Sequence, residues 1–145
     1  MKALEEEYPK VYLYRRIVQS KLFIDANYSM AINLDAIADE ATFSKFHFMR
    51  LFKKTYGKTP HQYLTTVRIE KAKHLLQTNM RVSEVCYAVG FDSITSFTSL
   101  FKKQTGQTPS AFQLHQKERK ADIERRPLKY VPNCFAEMKG WSSLN

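Results

Sequence analysis

The chain has 145 residues, of which 43% are hydrophobic and 13% aromatic, and a formal net charge of +9. That composition excludes an intrinsically disordered chain, and the length suits one domain or two small lobes. Four Gly and five Pro are too few for a many-turned β fold. The charge is uneven, at −2 over residues 1–44, +10 over 45–120 and +1 over 121–145. The excess lies where a polyanion would be met, with solvated surface lysines as the plain alternative.

Met1-Lys2-Ala3-Leu4-Glu5-Glu6-Glu7 is no secretory signal, and no apolar run approaches membrane length. We therefore expect an intracellular, cytoplasmic protein with no membrane partner. Residues 9–28 read as the first helix, with Pro9 at an early position and Val11, Tyr14, Ile17, Val18, Leu22 and Phe23 at helical spacing. Asn33 can cap a short helix from Leu34 to about Ala41, with Leu34, Ile37, Ala38 and Ala41 on one face. A turn at Thr42-Phe43 follows. Ser44 can then cap a longer helix, Lys45 to Tyr56, which Gly57 stops. Thr59-Pro60-His61-Gln62 is a capping box with proline at the first helical position. The helix it opens runs to about Thr78, and Asn79 can end it.

The pattern then starts again. Val82 to Val89 matches the short helix, with Val82, Val85, Cys86 and Val89 as its apolar face; Cys86 there acts as a small hydrophobe. Gly90-Phe91 makes the turn, Asp92 or Ser93 caps, and Ile94 to Thr105 is the long helix ended by Gly106. Thr108-Pro109 opens a last helix through Ala111, Phe112 and Leu114. The segment Leu51-Phe52-Lys53-Lys54, ending Gly57-Lys58-Thr59-Pro60, returns as Leu100-Phe101-Lys102-Lys103, ending Gly106-Gln107-Thr108-Pro109. A repeat of this kind means two copies of one supersecondary unit. The step from turn Phe to helix Phe is one residue longer in the second copy, which places an extra residue at the start of the second long helix.

A helix of about eight residues, a short turn and a helix of about twelve form a helix-turn-helix. The expectation is therefore an all-α fold of two helix-turn-helix subdomains joined by a long linker helix. The boundaries are 1–58 for the N-terminal helix and first unit, 59–79 for the linker, 80–115 for the second unit and 116–145 for a C-terminal tail.

Residues from about 10 to 115 resemble the AraC/XylS-type DNA-binding domain of bacterial transcription regulators. Ile37-Ala38 before the first turn, the Gly90-Phe91 turn, Phe101-Lys102-Lys103 and Gly106-x-x-Pro109 carry the resemblance. It implies two homeodomain-like three-helix lobes that bind double-stranded DNA, each offering its long helix to the major groove. It also implies a transcription regulator, usually an activator that contacts RNA polymerase. Family members act as monomers or dimers, so a homodimer stays open. Activator or repressor role, operator and effector are not legible.

On the first long helix Phe48, Leu51 and Phe52 form the core stripe, while Phe46, Met49, Arg50 and Lys53 form a second. Arg50 can fork onto guanine O6 and N7, and Phe46 and Met49 can press on thymine methyls. Lys45 sits in the first turn, within reach of a base or a phosphate. These positions match base-contacting ones of the family helix; the plain alternative makes Phe46 and Met49 extra core. On the second helix Phe97, Leu100 and Phe101 are core, and Thr95, Thr98, Ser99 and Lys102 face outward. Ile94 is either buried or base-contacting. Many family members carry an Arg where Ser99 stands, so the second unit is expected to position more than to discriminate. Lys53, Lys54, Lys102 and Lys103 suit phosphates and equally complement the helix dipole. Thr42 stands where the first turn would ordinarily have glycine, as Gly90 does in the second.

In the tail, Phe135, Met138 and Trp141 recur at helical spacing and either fold back on the body or meet a partner. His47, His61, His74 and His115 are scattered, with no carboxylate pair, nucleophile–base pair or Gly-rich phosphate loop, so no catalytic residue is assigned and no enzyme is expected. No cofactor is implied, and Cys86 and Cys134 lack the spacing for a metal site. The rival readings are an RNA-binding module, which would expose stacking aromatics, and a DNA-independent protein-interaction adaptor.

Overall fold

The computed structural model describes residues 2–35, 45–132 and 138–139. Its helices are α1 (Lys2–Asn27), α2 (Lys45–Tyr56), α3 (Pro60–Leu76), α4 (Val82–Ala88), α5 (Ile94–Thr105) and α6 (Pro109–Arg125), followed by a 3₁₀ turn at Pro127–Tyr130. No strand occurs among the described residues, and no helix there is long and apolar enough to cross a membrane. The Ile37-Ala38 motif, Ala41, the Thr42-Phe43 turn, the Ser44 cap and Cys134, Phe135 and Trp141 lie outside the described residues.

The linker helix α3 packs against α1, α2, α4, α5 and α6. It crosses two separate cores. Leu64 joins Ile17 and Ile24 of α1 and Phe48 and Phe52 of α2. One turn later Ile69, Ala72 and Leu76 join Val85, Cys86, Val89, Phe91, Phe97, Phe101 and Phe112. Each fully buried Phe contributes ~1.5–3 kcal/mol by leaving water, so each lobe has a core of its own.

The repeat holds at the level of single bonds. Gly57 N–H donates to the Lys53 carbonyl at 2.7 Å, and Gly106 N–H to the Lys102 carbonyl at 2.8 Å. Phe48 and Phe52 lie with ring centroids 6.1 Å apart, Phe97 and Phe101 5.7 Å apart. Thr59 Oγ1 accepts from Gln62 N–H at 3.3 Å while Thr59 N–H donates to Gln62 Oε1 at 3.0 Å, completing the capping box. Thr108 Oγ1 accepts from Ala111 N–H at 3.2 Å at the corresponding place.

Three helix boundaries differ from the sequence expectation by two residues or more. Helix α1 starts at Lys2, so Pro9 lies inside it rather than in its first turn; the preceding Ala, Leu and Glu residues are strong helix formers that extend it despite one lost backbone bond. Of the apolar residues read on it, Ile17 is buried, whereas Val11, Tyr14, Val18, Leu22 and Phe23 are exposed. The buried stripe is Ile17, Ser20 and Ile24, at i, i+3 and i+7. Helix α3 ends at Leu76 with Gln77 as its C-cap. Helix α6 runs past residue 115 to Arg125, and Asp122 then receives Lys129 at 3.2 Å and the Tyr130 hydroxyl, pinning the 3₁₀ turn to it. The extra residue of the second copy is accommodated before α5, because Ser93 Oγ caps by accepting from Ser96 N–H at 3.3 Å. Helices α2 and α5 therefore begin and end at equivalent repeat positions, with 12 residues each.

Helix α1 is tied to α3 by polar groups as well. Tyr63 donates its hydroxyl to Asp25 at 2.7 Å, and Lys21 pairs with the same carboxylate at 2.7 Å. Burial, then the bond to Asp25, pushes the Tyr63 phenol upward.

Candidate nucleic-acid interface

The two long helices are amphipathic in the same register. On α2, Phe48 and Phe52 are buried and Leu51 is half-buried; on α5, Phe97 and Phe101 are buried and Leu100 is half-buried. With those faces fixed inward, the second stripe of each helix is left toward solvent.

Phe46 is 76% exposed, which removes it from the core and leaves a large aromatic ring in water beside Arg50. Arg50 is exposed and has no ion pair or hydrogen bond among the described residues. Met49 divides its surface, half-buried against the first core. Lys45 is exposed, and its ammonium meets Asp35 at 2.6 Å, so an anion reaching for Lys45 competes with that carboxylate. On α5, Thr95 and Ser99 are exposed, Thr98 is half-buried, and Ile94 is 42% exposed, toward the open side of its two readings. Lys53, Lys54, Lys102 and Lys103 are all exposed in the last turns of their helices. They complement the negative helix ends there while leaving their ammonium groups in solvent.

Two features escaped the sequence. A shallow groove joins the lobes, with Lys58 and Lys103 among its walls beside His61, Gln62 and Gln104; nothing local in the sequence brings the turn after α2 against α5. Arg68, in the middle of the linker, reaches backbone carbonyls of residues 28 and 30 at the end of the first helix. The signal for it was a lone Arg between Val67 and Ile69 in an apolar stretch.

Two twelve-residue helices at equivalent repeat positions, each packed in a small helical lobe, with the helix and turn that precede the second of them, are the marks of a helix-turn-helix protein. Residues 37–115 match the family model described as a helix-turn-helix domain. The chain belongs to the AraC-type helix-turn-helix family, a family of DNA-binding transcription regulators. It is 40% identical over 91 residues to the bifunctional transcriptional activator/DNA repair enzyme AdaA of Bacillus subtilis, a match covering 62% of this chain and 43% of that protein. It is 35% identical over 94 residues to the HTH-type transcriptional activator AarP of Providencia stuartii, covering 64% of this chain and 70% of that one. The chain thus spans less than half of the first relative. In structure it is similar to the DNA-binding domain of AdpA, a global transcriptional factor in complex with a target DNA. The TM-score is 0.64 and the identity 28%, over 77% of this chain and 96% of that one.

Proposed function

We propose that this protein is a sequence-specific double-stranded DNA-binding transcription regulator, acting as an activator, that lays α2 and α5 in successive major-groove segments about one helical turn, ~34 Å, apart. The observation that carries this reading is the shared register of the two helices. Equivalent faces are buried in both, so equivalent faces are offered outward in both.

The roles then follow from chemistry. Arg50 forks onto a guanine, while Phe46, the open side of Met49 and Ile94 contact thymine methyls. Lys45 contributes once Asp35 is displaced. Thr95, Thr98 and Ser99 offer hydroxyls, which suit many bases and discriminate weakly, so the second lobe anchors while the first selects. Lys53, Lys54, Lys102 and Lys103 neutralise phosphates and give the salt dependence expected of duplex binding. Activation through RNA polymerase and a nucleoid-associated, cytoplasmic location belong to the same proposal, with binding as a monomer or as a homodimer. No catalytic step is part of it: the segment shared with AdaA is the helix-turn-helix part, and the regulator AarP is matched over most of its length.

Selection of bound fragments from a random duplex pool tests the reading. The expected product is a two-part motif with one strong and one weak half. Equal retention of RNA hairpins, or no salt-dependent duplex binding at all, would replace it by the RNA-binding or adaptor reading.

A further inference from the structure

The spacing between two DNA-contacting helices is only as well defined as the joint between their lobes. Helix α3 alone is a weak joint, because long helices bend. The structure places a second connection beside it. Arg68 lies on α3 between Leu64, in the first core, and Ile69, in the second. Its Nε donates to the Tyr28 carbonyl at 2.7 Å and its Nη2 to the Met30 carbonyl at 3.0 Å. Carbonyls just past a helix end lack helical partners and lie at the negative pole of the dipole, so a guanidinium suits them.

The other side of Arg68 faces the second lobe. Its guanidinium carbon stands 5.7 Å from the centre of the Phe91 ring, in the turn between α4 and α5. Burial lowers the affinity of Arg68 for its proton, and the charge of Asp92 works against that. Gly90 completes the joint. Its φ is +97°, and a Cβ there would meet the Tyr28 carbonyl oxygen at 2.8 Å and Arg68 Nε at 3.0 Å. The second turn closes on the first lobe because no side chain intervenes. Tyr28 itself packs against both cores and carries Lys71 Nζ 5.6 Å over its ring.

We propose that Arg68 is a positioning residue for DNA recognition, a brace that locks the two lobes at one angle and so restricts the protein to one half-site spacing. The DNA part of this rests on the function proposed above; the mechanical part does not. An Arg fork is directional and its charge-assisted bonds are the stronger kind. With one face on carbonyls of the first lobe and the other on a ring of the second, it opposes both hinge and roll.

The test uses the full chain with spin labels at Thr55→Cys and Gln104→Cys, equivalent exposed positions on α2 and α5, in a Cys134→Ser background; Cys86 is buried. The parent should give one narrow distance distribution, and Arg68→Gln one about twofold wider, as a bending linker would produce. Affinity is then compared for the selected site and the same site with one base pair inserted between its halves. The parent should lose about tenfold, near the lower end of the cost of deforming DNA, whereas Arg68→Gln should lose under about threefold, since a loose joint follows the shifted groove. Arg68→Lys, which keeps a cation over Phe91 but not the fork, should fall between, and it serves in place of Arg68→Gln should that variant not fold. An unchanged distance width overturns the brace. A widened distribution with the spacing penalty intact overturns its role in recognition. A parent that selects no two-part site refutes the DNA reading, and the distance width then judges the brace by itself.

Discussion

Arg50→Ala separates reading of a base from attraction to a polyanion. The side chain is exposed and makes no ion pair or hydrogen bond among the described residues, so its loss should change stability by less than ~0.5 kcal/mol. Alanine is also a better helix residue than arginine, by a few tenths of a kcal/mol. The melting temperature should therefore move by no more than about 2–4 °C. DNA binding should respond differently. A bidentate contact to guanine gives ~1–3 kcal/mol of discrimination, which is about 5- to 150-fold in affinity at ~1.4 kcal/mol per decade. On a random duplex Arg50 has no fixed guanine to fork onto, so the variant should lose little affinity there, and the slope of log K against log salt should change by less than the ~0.9 of a lost phosphate contact. Fluorescence anisotropy on the selected and a scrambled duplex, each at two salt concentrations, yields both quantities. The ratio of the two affinities should collapse, and preference at one base pair should relax. The same proportional loss on both duplexes would refute the reasoning and reduce Arg50 to a phosphate contact.

The second lobe invites the converse change: Ser99→Arg, at the position equivalent to Arg50, should sharpen a base preference in the weak half-site by ~1–3 kcal/mol, measured by repeating the selection with the variant. Lys102→Ala should weaken binding to all sequences alike and flatten the salt slope by ~0.9, and a sequence-dependent loss would move Lys102 into the reading set. Phe101 is fully buried with ring centroids of Phe97 at 5.7 Å and Phe112 at 5.5 Å; Phe101→Ala should cost ~3–5 kcal/mol by urea titration, and a cost under ~1 kcal/mol would mean that the second core repacks freely. Bonds from Tyr130 and then Lys129 hold the Asp122 carboxyl below the usual carboxylate range. Its contribution to the C-terminal turn is therefore complete above about pH 4 and is lost as pH falls through the lowered value. Protection of the Lys129 amide from exchange, taken relative to its intrinsic rate at each pH, should fall across that acid range in the parent and stay flat in Asp122→Asn; its N–H donates to the Arg126 carbonyl at 3.2 Å.

What the sequence disclosed was local. The start of α5, the start of α3 and the end of α2 were legible because caps and stops sit within four residues of the bonds they make: Ser93 to Ser96, Thr59 to Gln62, Gly57 to Lys53. Periodicity exposed the Phe pairs of both cores for the same reason. It failed where two signals shared a segment. In α1 the apolar residues spread around the helix, and only contact with α2 and α3 selects Ile17 and Ile24 as the buried face. In α6 the residues after His115 lack an apolar period, yet Lys, Glu, Arg and Ala favour helix by propensity alone, and the helix continues to Arg125. Of the candidate site, exposure of Phe46 followed from its place opposite the core stripe, whereas the Lys45–Asp35 pair did not, since its members stand ten positions apart in the chain. Arg68 lay furthest from sight, bonding to a carbonyl 40 residues upstream.

The placing of these long-range contacts has a consequence for how two unequal lobes share one task. A weak half-site helps a strong one only if binding the first delivers the second to its groove at high effective concentration, and that gain vanishes when the link lets the partner wander. The second lobe has hydroxyls where the first has Arg50 and Phe46, and in the proposed function it therefore has little base discrimination with which to find its own place. Its contribution therefore depends on being held, by α3 through both cores and by Gly90 and Phe91 closing on Arg68 and the end of α1. The same dependence explains why a glycine is needed in the second turn beyond its left-handed backbone: the space a side chain would fill is occupied by the other lobe. In the function proposed above, sequence choice and mechanical register are carried by different residues, so that substitutions alter the one without the other.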